Sequence, residues 1–438
     1  MNRICALTFL AVSLGVAAGA VAADARPNFI IMIADDVSPE DIGAYGHPHI
    51  RTPNIDALAR DGMRFDAAFL TCSSCSPSRC SINTGRYPHA TGAAELHQPL
   101  PEAQVTFAEL LKQAGYYTAA AGKWHMGPHA KRGYDKVTEG GGPSGCEAWV
   151  KTLQDRPRDK PFFLWLASFD AHRGYTKNTI ARPHTADDVV VPPYLPDVLE
   201  TREDLAMYYD EISRLDGFLG QVLEELASQK VADNTLVIFM ADNGRPFPRC
   251  KTTVYDSGVR TPLVVRWPEK VKPGAITGSL VSSIDIAPTF LQLAGAAPSK
   301  TFQGVSFAPI LADPQATTRE FIFAEHNWHD YQAHKRAIRS GDLLYIRNAF
   351  PELTGSPPAD AVRSPTYEAM QRLEAEGKLP PAQRDCFIAP RAAEELYDLG
   401  RDPNSLSNAA ADPALAKQLA AMRQGLDAWI QETDDRVP

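Results

Sequence analysis

The sequence predicts an α/β protein: a mostly parallel central sheet sandwiched by helices, followed by a smaller C-terminal α+β domain. Three observations carry this. Strand-like and helix-like segments alternate from about residue 28 to residue 293. The strand-like segments are continuous apolar runs, as parallel strands buried on both faces require. Near Asp313 to Thr318 the texture changes, and later apolar runs are shorter. These features divide the chain into a leader at 1–23, a large α/β domain at 24–315 and a smaller domain at 316–438.

The elements follow in order. Asn28 to Ile33 is a buried strand ending in Ala34-Asp35-Asp36. Thr52-Pro53 offers an N-cap and a first-turn proline for a helix to about Arg60. Pro77 to Thr84 reads as a short helix and Phe107 to Ala114 as an amphipathic one. Tyr117 to Ala121 is a strand leading into Gly122-Lys123-Trp124-His125, and Pro161 to Ala167 is a strand delivering Phe169-Asp170-Ala171-His172. Leu205 to Ala227 has helical periodicity, and Thr235 to Met240 is a strand ending in Ala241-Asp242-Asn243-Gly244. Leu263 to Arg266 and Leu280 to Ser283 read as strands, and Pro288 to Leu293 as a helix. A Pro/Ala/Glu-rich stretch spans Ser356 to Arg384, and a last helix runs from about Ala414 to Glu432.

Met1-Asn2-Arg3, an apolar run to Ala18 and the small residues Ala20 to Ala23 have the form of a secretory signal peptide. No later segment is apolar enough to span a bilayer. The expected location is therefore periplasmic or extracellular in a bacterium, lysosomal or secretory in a eukaryote. The net charge of −9 gives no argument for nucleic-acid binding, so an anionic substrate has to be held by local cations. Of seven cysteines, Cys5 leaves with the leader. The rest allow at most two disulfides if Cys75 is modified, in pairings the spacing does not fix.

In an open parallel sheet, ligands bind beyond the C-terminal strand ends, and the polar clusters fall there. Asp35, Asp36, Asp242 and Asn243 are hard oxygen ligands suited to Ca²⁺ or, less well, Mg²⁺. The alternative reading makes Asp35-Asp36 a helix cap and Asp242-Asn243-Gly244 a turn. Lys123, His125 and His172 follow two other strands.

Residues 75–86, Cys-Ser-Pro-Ser-Arg-Cys-Ser-Ile-Asn-Thr-Gly-Arg, resemble the C-x-P-x-R…T-G-R motif of type I sulfatases. The resemblance extends to the paired Asp residues, the Asp-Asn pair, Gly-Lys-x-His, a later His and Lys251. It reaches Glu395-Leu396-Tyr397-Asp398-Leu399, Asp402-Pro403 and Asn408 in the C-terminal part. It implies an alkaline-phosphatase-like large domain. It also implies that Cys75 is oxidised before folding to formylglycine by a maturation enzyme, and that its hydrate attacks sulfur. Asp35, Asp36, residue 75, Asp242 and Asn243 would hold Ca²⁺. Arg79, Lys123, His125, His172 and Lys251 would handle sulfate, with His172 as general acid.

Within the family the chain looks most like the sulfamidase branch, which removes sulfate from glucosamine nitrogen in heparan sulfate. Ser74 to Arg79, Leu96-His97-Gln98, Ala171-His172-Arg173 and Arg245-Pro246-Phe247-Pro248 carry that likeness. Lys251 stands where the animal enzymes have Arg, and Ala94-Glu95 departs from the pattern. His97, Gln98, Glu325, His326 and His329 are candidate sugar contacts because they lie on loops near the motif or early in the second domain. An O-sulfatase on another glycan, a phosphodiesterase or phosphonate hydrolase, and a binding protein with a dead site are the competing readings. The complete set of metal, Cys75, Arg79, Lys and His positions argues against the last.

Overall fold

The structure is a computed structural model that describes residues 26–436; the expected signal peptide lies outside the described residues. Fourteen strands are present among the described residues: β1 (Asn28–Ala34), β2 (Met63–Phe65), β3 (Ala68–Phe69), β4 (Tyr117–Gly122), β5 (Lys136–Glu139), β6 (Phe162–Ala167) and β7 (Thr235–Ala241) in the first half. β8 (Leu263–Arg266), β9 (Ala275–Thr277), β10 (Val281–Ser282), β11 (Ile322–His326), β12 (Lys335–Ser340), β13 (Leu343–Asn348) and β14 (Glu394–Asp398) follow.

Eight of them form one sheet in the order β5-β4-β6-β1-β7-β8-β2-β9. β4, β6, β1 and β7 are adjacent, mutually parallel and central. Within this sheet only β8 runs against the rest, pairing antiparallel with both β7 and β2. Alternation along β1 divides the interior. Phe29, Ile31 and Ile33 pack with Phe107, Leu111 and Phe290 on one face. Ile30, Met32 and Ala34 pack with Ile55, Trp149, Ile212, Leu215, Leu219 and Val222 on the other. Burial on both sides is why these strands read as unbroken apolar runs.

A separate antiparallel sheet has the order β11-β12-β13-β14. Ile338, Tyr345 and Leu396 on one of its faces meet the Ala416–Thr433 helix through Leu419, Met422, Leu426 and Trp429. Ala337, Leu344 and Ile346 on the other face join the main core. The Pro/Ala/Glu-rich stretch contains a helix, Pro365–Ala375, whose Tyr367 and Met370 return to the first unit and pack in the core beneath the Leu199–Ser228 helix.

Some expectations needed adjustment. The long helix starts at Leu199, six residues before the apolar periodicity begins at Leu205, because its first turns carry Glu200, Arg202 and Glu203. The strand expected at Leu280 to Ser283 is only Val281–Ser282, since Ser282 then caps a 3₁₀ turn through Asp285. The short strands β2, β3, β5 and β9 were not expected; runs of two to four residues carry too little periodicity to register. All six described cysteines are buried and free.

Candidate active site

The helix Cys75–Thr84 begins at Cys75 itself, with Ser74 extended ahead of it, and all ten of its residues are buried. Arg79 lies one turn on, so it shares the face of residue 75. Its Nε donates to Asp242 Oδ2 at 2.7 Å and its Nη1 to the Lys123 carbonyl at 3.1 Å. Four adjacent strand ends converge on the start of this helix, and the exposed positive end of a helix favours anions.

From β1 come Asp35 and Asp36, both fully buried. From β4 comes Lys123, whose ammonium contacts Asp35. Gly122 makes this turn possible: its φ is +94°, and a Cβ would lie 1.8 Å from the Ala167 carbonyl oxygen. From the β7 end come Asp242 and Asn243, and Lys251 follows on the next loop. Asn243 Nδ2 lies 2.9 Å from Asp36 Oδ1 and 3.3 Å from Cys75 Sγ. Lys251 Nζ lies 2.6 Å from Asp36 Oδ2 and is 1% exposed, so it is no surface lysine. Asp36, His97, His125 and Thr252 all adopt left-handed backbone, with φ between 57° and 66°. Such conformations outside glycine are strained and cluster at functional sites.

The electrostatics are unbalanced. Burial and the Asp35 and Asp360 carboxylates push Asp36 up to about 7, against the pull of Lys251. Burial also pushes Asp242 up to about 6, against Arg79. Burial opposes ionisation of Asp35 too, but Lys123, His172, Arg79 and Lys251 together hold it well below the usual range. Asn243 Oδ1 and Arg79 Nη2 are buried with no hydrogen-bond partner. Asp35, Asp36 and Cys75 offer ligand atoms within 4.8 Å of one another. Three carboxylates, an orphaned amide oxygen and residue 75 therefore fit a hard divalent cation, which would relieve both the carboxylate repulsion and the unpaired oxygen. As a thiol, Cys75 is a poor nucleophile: burial, Asp35 and Asp36 push it up to about 12 despite the neighbouring lysines.

Two histidines flank the centre. His125 Nε2 lies 2.7 Å from His97 Nδ1. Burial, Lys123 and Arg79 push His125 down to about 3, which keeps its ring neutral. His172 sits on the β6 loop. Its Nδ1 donates to the Arg173 carbonyl at 2.5 Å, leaving Nε2 free, 3.5 Å from Asp360 Oδ2. Lys251 and burial lower its pKa. The neighbouring Arg173 is clamped on Asp204 at 2.8 and 2.9 Å, donates to the Pro246 carbonyl at 2.7 Å and stacks over Phe247 at 4.4 Å. The Ala171-His172-Arg173 and Pro246-Phe247-Pro248 segments, far apart in sequence, thus lock one another in place.

The sugar candidates disperse. His97 faces His125 and is exposed, whereas Gln98 pairs with Glu95 at 2.9 Å. His329 Nδ1 is 2.8 Å from Ser74 Oγ, beside the helix that starts at Cys75. Glu325 is fully buried and engaged by His89 at 2.7 and 2.9 Å. His326 is buried with both ring nitrogens unpartnered. Asp360 was missed. It comes from the proline-rich stretch between β13 and β14 of the second sheet, 3.5 Å from His172 and 3.7 Å from Lys251, and no local motif marks it.

A mostly parallel sheet carrying this constellation at the C-terminal ends of its strands defines an α/β protein of the alkaline-phosphatase-like class, with a cluster of cations beside a metal-fitting carboxylate cluster. The Sulfatase family model matches residues 27–144 and 146–296, and the chain belongs to that family. It is 33% identical to N-sulphoglucosamine sulphohydrolase of Homo sapiens over 465 aligned residues, covering 94% of this chain and 91% of that protein. Among solved structures, that of BT4656 in complex with its substrate D-glucosamine-2-N,6-O-disulfate is similar with a TM-score of 0.70 and 21% identity, covering 94% of this chain and 99% of that one. The phosphonate monoester hydrolase of Agrobacterium radiobacter has a TM-score of 0.69 and 19% identity, covering 93% and 96%. These two structures share the fold.

Proposed function

We propose that this sulfatase is an exported sulfohydrolase that removes sulfate from N-sulfoglucosamine of heparin or heparan sulfate. The observation that carries the chemistry is the convergence of Asp35, Asp36, Asp242, Asn243, Arg79, Lys123 and Lys251 on residue 75 at a helix start. The N-sulfate reading is supported by the 33% identity to the human N-sulphoglucosamine sulphohydrolase and by the interlocked His172 and Pro-Phe-Pro segments.

Asp35, Asp36, Asp242 and Asn243, with residue 75, would hold Ca²⁺, which would draw charge from the sulfate oxygens. Cys75 converted to formylglycine would supply a hydrated aldehyde as nucleophile. The protein's own residues do the rest. Lys123 and Lys251 neutralise sulfate in a site where fixed cations are worth several kcal/mol at the transition state. Arg79 holds Asp242 and keeps one nitrogen free for an oxygen at residue 75. His125, held neutral, accepts a proton from a hydroxyl at residue 75. His172 presents Nε2 to the leaving atom. Nitrogen leaves poorly unless protonated, so N-desulfation depends on that proton. Lys251 lowers the acidity range of His172, while the Asp360 carboxylate and an incoming sulfate favour its protonated form.

Peptide mass spectrometry across residues 72–86 of active protein should show formylglycine and its hydrate at position 75. Wholly unmodified Cys75 in active enzyme overturns the mechanism. Turnover of N-sulfoglucosamine against 6-O-sulfated glucosamine tests the substrate. A preference for the O-sulfate refutes the N-sulfate assignment. The second reading, a phosphonate or phosphodiester hydrolase, draws on the shared fold with the Agrobacterium enzyme; faster turnover of a phosphate diester than of any sulfate would establish it.

A further inference from the structure

A narrow crevice opens beside the catalytic centre and is lined by His326, His329, Lys335, Thr252, Thr253 and Gly355. One wall starts at His329, which hydrogen-bonds Ser74, the residue before Cys75. The other starts at Thr252, the residue after Lys251; the Thr252 N–H donates to the Ser73 carbonyl at 3.0 Å. The crevice is thus one residue removed from the nucleophile position on one side and from a sulfate-binding lysine on the other.

His326 and Lys335 form its far end for a reason set by strand register. They are directly opposed across β11 and β12, so their side chains leave the sheet on the same face. The next opposed pair, Glu325 and Arg336, leaves on the other face, where the two lie 3.5 Å apart. His326 is 8% exposed, and neither of its ring nitrogens has a hydrogen-bond partner among the described residues. The Lys335 ammonium makes no ion pair among the described residues. Burial and Arg391 push it down to about 8, against Asp385 and Glu395.

Two carboxylates also line the crevice, but each is already engaged. Asp330 accepts the Ala359 N–H at 2.6 Å, and Asp385 is held by Arg391 at 2.8 Å and by Tyr255 at 3.2 Å. What is left is the half-buried Lys335 ammonium, the Thr252 hydroxyl and the His326 ring, which burial pushes down to about 3 and so keeps neutral with one N–H to donate. A buried donor left unpaired is costly, and beside a lysine an anion is the partner that suits it. The enclosed space, about 20 Å³, has room for about one water-sized atom, so only the tip of a compact group can enter and a sugar ring is excluded.

We propose that His326 and Lys335 form a second anion subsite, which takes a carboxylate or sulfate group carried by the substrate in addition to the sulfate being removed. The proposal rests on the sulfated-glycan reading above. It makes the preferred substrate a sugar with two anionic groups: either a second sulfate on the same residue or the carboxylate of an attached uronic acid.

The test compares KM for N-sulfoglucosamine with KM for two doubly charged sugars, N-sulfoglucosamine 6-sulfate and N-sulfoglucosamine joined to a uronic acid. Wild-type enzyme should favour one of these by about ten-fold or more, the scale of one charge-assisted hydrogen bond. Lys335→Met should abolish most of that preference, and His326→Ala should reduce it. The sugar that responds identifies the group as sulfate or carboxylate. Equal KM values for singly and doubly charged sugars in wild type, or variants that shift all of them alike, overturn the subsite. If an aryl sulfate is turned over but no N-sulfated sugar is, the substrate reading has failed. The subsite is then tested by competition: glucosamine 6-sulfate and a glucosamine–uronic acid disaccharide should inhibit aryl-sulfate hydrolysis less in Lys335→Met. Unchanged inhibition by both overturns it.

Discussion

Around Cys75, three buried carboxylates, two lysines, an arginine and an asparagine crowd together. At the junction of the two sheets, Glu325, Arg336, Asp435 and His89 do the same. In the second cluster Arg336 grips both oxygens of Asp435, and both oxygens of Glu325 are engaged by His89. Burial would raise Asp435, but Arg336 holds it below its ordinary range. In the first cluster Asp36 and Asp242 are pushed up, and Asn243 Oδ1 and Arg79 Nη2 have no hydrogen-bond partner among the described residues, Arg79 Nη2 lying 4.0 Å from Asp35. Burying charge is common to both, and even the second leaves His89 Nε2 without a hydrogen-bond partner among the described residues; what separates a binding site from a structural knot is whether the protein's own donors satisfy its buried carboxylates.

The sharpest break of that contrast is at residue 75. Cys75→Ala should fold and yet lose roughly four orders of magnitude or more in kcat, as enzymes do without their nucleophile. A variant that keeps a tenth of wild-type turnover would place the chemistry elsewhere. Next is Asp242→Asn, which removes a charged ligand but not its volume. We expect about a thousand-fold loss of activity and loss of bound Ca²⁺ by metal analysis, on the scale of removing one preorganised electrostatic contact. Retained calcium with normal turnover would count against the ligand set.

His172→Ala should lower N-sulfatase kcat by about two to four orders of magnitude, the range for a general acid. An activated aryl sulfate, whose leaving group departs unprotonated, should be affected far less. Equal losses on both would make His172 a sulfate-binding residue. Arg336→Met tests the other cluster. It strips Asp435 of its bidentate partner and leaves Glu325 to His89 alone, at a cost of about 3 kcal/mol in urea unfolding. Turnover per folded molecule should hold; a selective loss of turnover instead would make that cluster functional.

The smallest effect is on pH dependence. In the metal-free native protein, Asp36 and Asp242 titrate at about 7 and about 6, whereas an unfolded Asp titrates near about 3.9. At these two carboxyls the native state binds more protons across that window, so their contribution to stability falls as pH rises from about 4 to about 7, while histidines lowered by burial, such as His125 and His326, contribute in the opposite sense. The readout that isolates the carboxyls is the Tm gained when Ca²⁺ is added to stripped protein, which should grow as pH rises over this range. A gain that shrinks with pH there would contradict the raised carboxyls.

Much of this was legible in advance because the central strands are buried on both faces. Asn28 to Ile33 and Thr235 to Met240 announce themselves as apolar runs, and the polar residues that end them mark the catalytic edge without a template. Lys251 was less legible, since the sequence does not separate a buried lysine from a solvated one; the Asp36 partner that buries it is supplied by the fold. Asp360 was illegible. It reaches His172 only because the chain, between β13 and β14 of the second sheet, doubles back across the first sheet's helices and anchors there through Tyr367 and Met370. The candidate sugar residues divided for a similar reason: Glu325 and His326 are neighbours in sequence but point to opposite faces of β11.

The position of Cys75 also sets a schedule. At 2% exposure, inside a helix with no residue open to solvent, it is out of reach of any second protein once the chain has closed. The proposed conversion of this side chain would therefore need a polypeptide that has not yet closed around it. Biogenesis is then a race with a single lap. On that proposal, a molecule that folds first would keep its sulfhydryl behind a closed door, and only unfolding would give it another start.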